Sequence, residues 1–258
     1  MAPPVSVLAL FAHPDDAEFL CVGTLAHLAD RGARINVTTM TKGDCGSTVL
    51  PPDKIARVRQ REAARAAKLI GATYNCMEEK DLLVFYDSPT VRKVMELLRQ
   101  VSADLVFTHS PSDYMVDHET TSRLAQSACF GGMIANFKTG RRRPAKPLRR
   151  IPHLYYAQPF GGRNILGEEI HPNLCVDISS TIERKERMLA CHESQGAFLR
   201  AQQEIQDTLG ALREMARRAG EHSGIAWAEG FRQHLGQGFP QDDVLVNLLG
   251  DLVRPAEK

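Results

Sequence analysis

Residues 5–19 read VSVLALFAHPDDAEF. Val5–Phe11 is a short apolar run without polar alternation, the pattern of a strand covered on both faces. Glu18–Ala29 follows with helical spacing of Phe19, Leu20, Val22, Leu25 and Leu28, and closes at Asp30-Arg31-Gly32. Between strand and helix stand one histidine and two adjacent carboxylates. Two neighbouring negative charges beside a buried strand need compensation from a helix N-terminus, a cation or water.

Further along, Arg34–Met40 (RINVTTM) is β-branched and reads as a second strand. Lys54–Ile70 is rich in Ala and Arg and stops at Gly71, a helix with its C-terminal signal. A strand-like stretch at Tyr74–Met77, a segment at Leu82–Tyr86, a helix at Val91–Val101, a buried strand at Asp104–Thr108 and a helix at Thr120–Cys129 follow. Strands alternating with helices predict an α/β fold, with a mostly parallel, Rossmann-like sheet and helices on both faces. Strands are expected again at 153–160 and 175–179, and a helical C-terminal extension from Thr181 onward, broken near 220–224 and 236–238. Trp227 and Phe231, four apart, would share one helical face in core or interface. No linker or repeat divides the chain. Residues 1–258 are expected to form one α/β domain, with a 1–130 core carrying the motifs and 131–258 completing it.

The 258 residues are 43% hydrophobic and 24% charged, with a formal net charge of +1. That balance gives no field for nucleic acid. The run KTGRRRPAKPLRR at 138–150 is the exception, a basic loop that would be solvated or would attract an anionic substrate. The six cysteines form no CxxC pair, the start of the chain lacks a basic leader region, and no segment is long enough to span a bilayer. Reduced thiols and a cytoplasmic location are expected.

In parallel sheets ligands bind outside the carboxyl ends of the strands. His13, Asp15 and Asp16 follow the first strand there, and His109–His118 (HSPSDYMVDH) follows the Asp104–Thr108 strand. An N-cap, with Asp15-x-x-Glu18 as a capping box, accounts for one carboxylate. It leaves His13 and the other carboxylate unexplained. His13 and Asp16, three apart across a turn with a fixed proline, can converge on one divalent ion. Nitrogen plus carboxylate donors suit Zn²⁺, with other divalent metals possible. A third ligand should come from the second loop, where His109 and His118 compete and spacing does not choose. Asp44, in Lys42–Ser47 after the second strand, is a candidate for sugar hydroxyls or simply a turn residue.

His13-Pro14-Asp15-Asp16 with Glu18, and Ser110–His118, together resemble the LmbE-like (PIG-L-like) zinc-dependent de-N-acetylases, whose signatures are AHPDDE and a later HPDH. Weaker likenesses extend to Arg59-x-x-Glu62, His192-x-Ser194-Gln195 and the AEGFR segment at 228–232. The resemblance implies His13, Asp16 and His118 as metal ligands, Asp15 as general base and Asp117 as the residue that orients a ligand or catalytic partner. It places Arg59 near the substrate, pairing with Glu62 or an anionic group. It implies hydrolysis of an N-acetyl group on an amino sugar or small sugar conjugate by a homo-oligomer, a trimer or hexamer. A related amidase for a larger N-acyl or thiol–sugar conjugate, and a non-catalytic metal- or sugar-binding homologue, are the alternatives.

The first histidine of HPDH, which the family places at the oxyanion or leaving group, is Met115 here. A thioether neither titrates nor donates a strong hydrogen bond. His234, His192, Tyr114 and Arg59 are the candidate replacements, with His234 first because in some relatives a neighbouring subunit's C-terminal segment completes the site.

Overall fold

The computed structural model describes residues 4–256. Strands β1 (Ser6–Phe11), β2 (Arg34–Thr41), β3 (Thr73–Glu79), β4 (Leu105–Thr108), β5 (His153–Ala157), β6 (Leu174–Asp177), β7 (Ala228–Gln233) and β8 (Val253–Pro255) form one sheet. Its order is β3-β2-β1-β4-β5-β7-β6-β8. The first five strands in that order pair in parallel, and β7, β6 and β8 extend the sheet antiparallel. Helices α1 (Asp16–Leu20), α2 (Val22–Asp30), α3 (Pro52–Lys68), α4 (Ser88–Val101), α5 (Val116–Gly131), α6 (Ile182–Leu189), α7 (Gln195–Gln203), α8 (Thr208–Glu221) and α9 (Val244–Leu249) pack around it.

Every residue of β1 is buried, and its period-two alternation divides the core. Val7, Ala9 and Phe11 join Leu25 and Leu28 of α2 on one face. Leu8 and Leu10 join Val94 and Leu98 of α4 and Leu124 and Ala128 of α5 on the other. This two-sided burial is why the stretch has no polar alternation.

The helical expectation for Trp227–Phe231 is corrected. Ala228–Gln233 is a strand, inserted between β5 and β6. Phe231 is buried, with its ring 5.2 Å from that of Phe107. Gly230 lets the strand pass close to β5, since a Cβ there would stand 2.5 Å from Gln158 Oε1. The four-residue spacing is therefore accidental, and pairing with two strands overrides it. The predicted helix at Glu18–Ala29 is two helices broken at Cys21, and the helix expected at Thr120 begins earlier, at Val116.

Strand β1 lies between β2 and β4, so chain direction along the sheet reverses there. The crevice outside the carboxyl ends of β1 and β4 is the switch point where such sheets bind ligands. The basic loop packs along α4, with Thr139 and Ala145 on Glu96, and none of its residues lines the cavity there. It precedes β5, and Arg150 pairs with Asp104 at the amino end of β4 at 2.8 Å. Its charge therefore does not line the crevice.

Candidate metal centre and cavity

The crevice holds a cavity of about 320 Å³. His13, Asp15, Asp16, Arg59, Asp81 and His118 give it a charged floor, and Phe19, Leu20, Phe160, Phe198, Leu199 and Ile205 give it an apolar wall.

Asp15 does not cap α1. Its φ of 107° is left-handed, and its side chain makes no capping hydrogen bond. A non-glycine residue in that region costs of order 1–3 kcal/mol and marks a position held by its surroundings. Arg59 is the principal neighbour. Its Nη2 donates to Pro14 O at 2.6 Å and stands 3.3 Å from Asp15 Oδ2. Burial is the main cause that raises the Asp15 pKa to about 6, with Arg59 opposing.

One ligand-capable atom from each of His13, Asp16 and His118 lies within 4.8 Å of the others. Asp16 stands between the two rings, with Oδ2 3.3 Å from His13 Nδ1 and Oδ1 3.6 Å from His118 Nε2. Each ring is held from behind by a buried carboxylate. His13 Nε2 is 3.2 Å from Asp117 Oδ2, and His118 Nδ1 is 2.9 Å from Asp113 Oδ1. A proton on each of those rear nitrogens leaves His13 Nδ1 and His118 Nε2 with lone pairs facing Asp16. Burial opposes charge on His13, yet Asp117 and Asp16 raise its pKa to about 10. Burial likewise opposes charge on Asp16, and His118, with His13, still holds its carboxyl well below the usual range. The cluster is thus a carboxylate-rich pocket that draws positive charge, with two nitrogens and an oxygen turned inward. That donor set fits a divalent transition metal.

His109 is placed differently. Its Nε2 takes the Ala12 N–H at 2.9 Å and stands 3.1 Å from Asp16 Oδ2, so its one in-plane site is already engaged. Burial lowers its pKa to about 4. The neutral ring stacks on His118 with centroids 3.8 Å apart and planes 10° apart.

The remaining candidates separate. Tyr114 and Met115 line the cavity, with the Tyr114 ring edge-on to His118 at 5.2 Å. Asp44 serves the turn, accepting from Asp81 N at 2.9 Å. His192 is buried behind the floor, with Nε2 3.3 Å from Glu18 Oε1. His234 is not with this cluster in the chain. It pairs with Tyr156 Oη at 2.7 Å and lines a separate groove beside Phe130 and Phe239. Arg59 does not pair with Glu62, which instead accepts from Ser194 N at 3.0 Å and Ser194 Oγ at 2.6 Å.

Asp81 and Asp113 complete the site without having been singled out for it in the sequence, and Gln195, quoted there only within the His192-x-Ser194-Gln195 likeness, joins them. Asp81 accepts from Gly43 N and Cys45 N and stands 3.9 Å from Arg59. Gln195 lines the cavity and donates to Gly46 O at 3.3 Å. The available signal for this shell was the glycine pair of Lys42–Ser47. A Cβ at Gly43 would lie 2.6 Å from Arg59 Cδ, and one at Gly46 2.5 Å from Arg59 Nη1. The loop has glycines where it wraps the arginine.

Residues 8–129 match the protein family described as PIG-L: GlcNAc-PI de-N-acetylase, which is the resemblance the two motifs carry. The chain is 25% identical over 201 residues to a 4-oxalmesaconate hydratase of Pseudomonas putida, covering 75% of each. It is 27% identical over 232 residues to a diacetylchitobiose deacetylase of Thermococcus kodakarensis, covering 88% of this chain and 82% of that one. The solved N,N'-diacetylchitobiose deacetylase of Pyrococcus horikoshii, complexed with an inhibitor, superposes with a TM-score of 0.74 at 25% identity, over 93% of this chain and 88% of that one.

Proposed function

With the PIG-L (LmbE-like) match over residues 8–129 as the premise, we propose that this chain is a metal-dependent hydrolase that removes the N-acetyl group from an amino sugar or sugar conjugate. One observation carries the reading: His13, Asp16 and His118 turn their donor atoms together on the floor of a cavity that Asp15 also lines. The named deacetylases among the relatives support the substrate class.

His13, Asp16 and His118 would hold the ion, which we take to be Zn²⁺. Bound there, it would lower the pKa of a water and polarise the acetyl carbonyl. Asp15, ionised at neutral pH, takes the water's proton as the oxygen bonds to the carbonyl carbon. Arg59 keeps that carboxylate in its left-handed position. Protonated Asp15 then returns the proton to the departing nitrogen as the C–N bond breaks, releasing acetate and amine. Met115 contributes no hydrogen bond, and Tyr114 and Gln195 supply the polar groups at the cavity wall.

A second reading is water addition to a carbon–carbon double bond, the activity named for the 4-oxalmesaconate hydratase to which the chain is 25% identical over 201 residues. The same base and ion would serve it. Incubation of the zinc-loaded chain with N,N'-diacetylchitobiose, followed by acetate assay, separates the two. Acetate release that Asp15→Asn abolishes supports the deacetylase. No acetate, together with loss of absorbance when the chain is given 4-oxalmesaconate, an unsaturated tricarboxylate, would replace it with the hydratase.

A further inference from the structure

We propose a second divalent-metal site on the outside of the molecule, formed by Glu169, His171 and His222, that ties the loop between β5 and β6 to the end of α8. One ligand-capable atom from each of the three lies within 4.8 Å of the others. His171 Nε2 is 4.0 Å from Glu169 Oε2, and the His171 and His222 rings meet edge-on at 87° with centroids 5.5 Å apart. Among the described residues, no lysine or arginine forms an ion pair with Glu169.

Two neutral imidazoles and one carboxylate form a zinc donor set, with the fourth position left to water. Zinc–ligand bonds of about 2.0–2.2 Å bring tetrahedral donors to roughly 3.3 Å apart. Glu169 and His171 are about half-exposed, so their side chains have room to close that gap by changing rotamer. Their own pairing is a weak surface contact, and it leaves His222 unexplained.

The site bears on the cavity through its loop. Gln158 Nε2 donates to Ile170 O at 3.0 Å and Ile170 N donates to Gly162 O at 2.9 Å, closing the loop on itself. Inside it, Phe160 lines the catalytic cavity and meets Phe19 edge-on at 5.2 Å. Asn164 Nδ2 reaches Ser112 Oγ at 3.3 Å, on the segment that leads to His118. A second hollow of about 240 Å³ separates the loop from α8, with Phe160, Glu169 and His222 among its walls. An ion held by Glu169, His171 and His222 spans that hollow's edge and fixes the wall that Phe160 provides.

The test is zinc stoichiometry of the chelator-stripped, untagged chain, read by equilibrium titration. Wild type is expected to bind two equivalents, and the His171→Ala/His222→Ala variant one. Asp16→Ala should keep one equivalent and a zinc-dependent rise in Tm, and adding the two histidine substitutions should remove both. Wild type binding one equivalent and His171→Ala/His222→Ala none supports the outer site and overturns the inner metal instead. Equal stoichiometry in wild type and His171→Ala/His222→Ala overturns this proposal and leaves the catalytic reading standing.

Discussion

Asp113 Oδ1 lies 2.9 Å from His118 Nδ1, with both side chains buried. The same oxygen also accepts the Tyr114 N–H at 2.8 Å, so one carboxylate fixes both the ring and the loop that delivers it. Loss of such a supporting group typically costs 10–100-fold in metal affinity. Asp113→Ala is expected to weaken zinc binding at the inner site by about that factor, measured by competition with a chromogenic chelator. Unchanged affinity would remove Asp113 from the support of the site.

Asp15→Asn should separate binding from chemistry. The substitution keeps shape and removes the base, so zinc at the inner site should be retained while acetate release falls by about 10²–10⁴-fold. Metal content and initial rate, measured on the same preparation, check it.

Gly46→Ala tests the wrapping of Arg59. The added methyl would meet Arg59 Nη1 at 2.5 Å, so the buried guanidinium that faces Asp15 must shift. An overpacking cost of about 1–3 kcal/mol is expected in urea unfolding, together with a lower kcat.

Lys185 and Glu229 form a buried pair away from the cavity floor. Lys185 Nζ donates to Glu229 Oε1 at 2.6 Å and to Phe19 O at 2.8 Å, and Glu229 accepts from Gly23 N and Thr24 N at the start of α2. Lys185→Met leaves the carboxylate buried without its cation. A loss of about 3–5 kcal/mol is expected, measured by urea unfolding.

Stability should depend on pH through His27. Burial lowers its pKa from 6.5, although its bond to Asp177 O at 3.0 Å opposes the shift. The unfolded chain therefore binds more protons than the folded one below pH 6.5. The contribution of neutral His27 is complete above that value and is lost as pH falls through the folded pKa. Between pH 7.5 and 5.5 the urea midpoint of wild type should fall more than that of His27→Gln.

Much of the fold was legible because its signals are local. Val5–Phe11 lacks polar alternation since both faces of β1 are covered, and that property needs no knowledge of the partners. The motif AHPDD following it, and HSPSDYMVDH following β4, placed the donors at one sheet edge. The strand at Ala228–Gln233 was misread because its partners on β5 and β6 lie about fifty or more residues away in the chain. Nothing in its own six residues outweighs the helical spacing of Trp227 and Phe231. His234 was singled out because a neighbouring subunit's C-terminal segment completes the site in some relatives; within this chain the turn after β7 carries it to Tyr156.

The sequence by itself determined the strand–helix alternation, the edge of the sheet where chemistry would gather, and the residue types available there. Tertiary structure decided which atoms face one another. His109 and His118 are equivalent by spacing. In the folded chain the Ala12 amide occupies His109 Nε2, while Asp113 holds His118 from behind and leaves its Nε2 toward Asp16. Likewise Arg59 faces Asp15 and Asp81 rather than Glu62 only because β1, α3 and the Lys42–Ser47 loop meet. Periodicity is written in neighbouring residues. The direction of a lone pair or a guanidinium depends on groups brought together from distant parts of the chain.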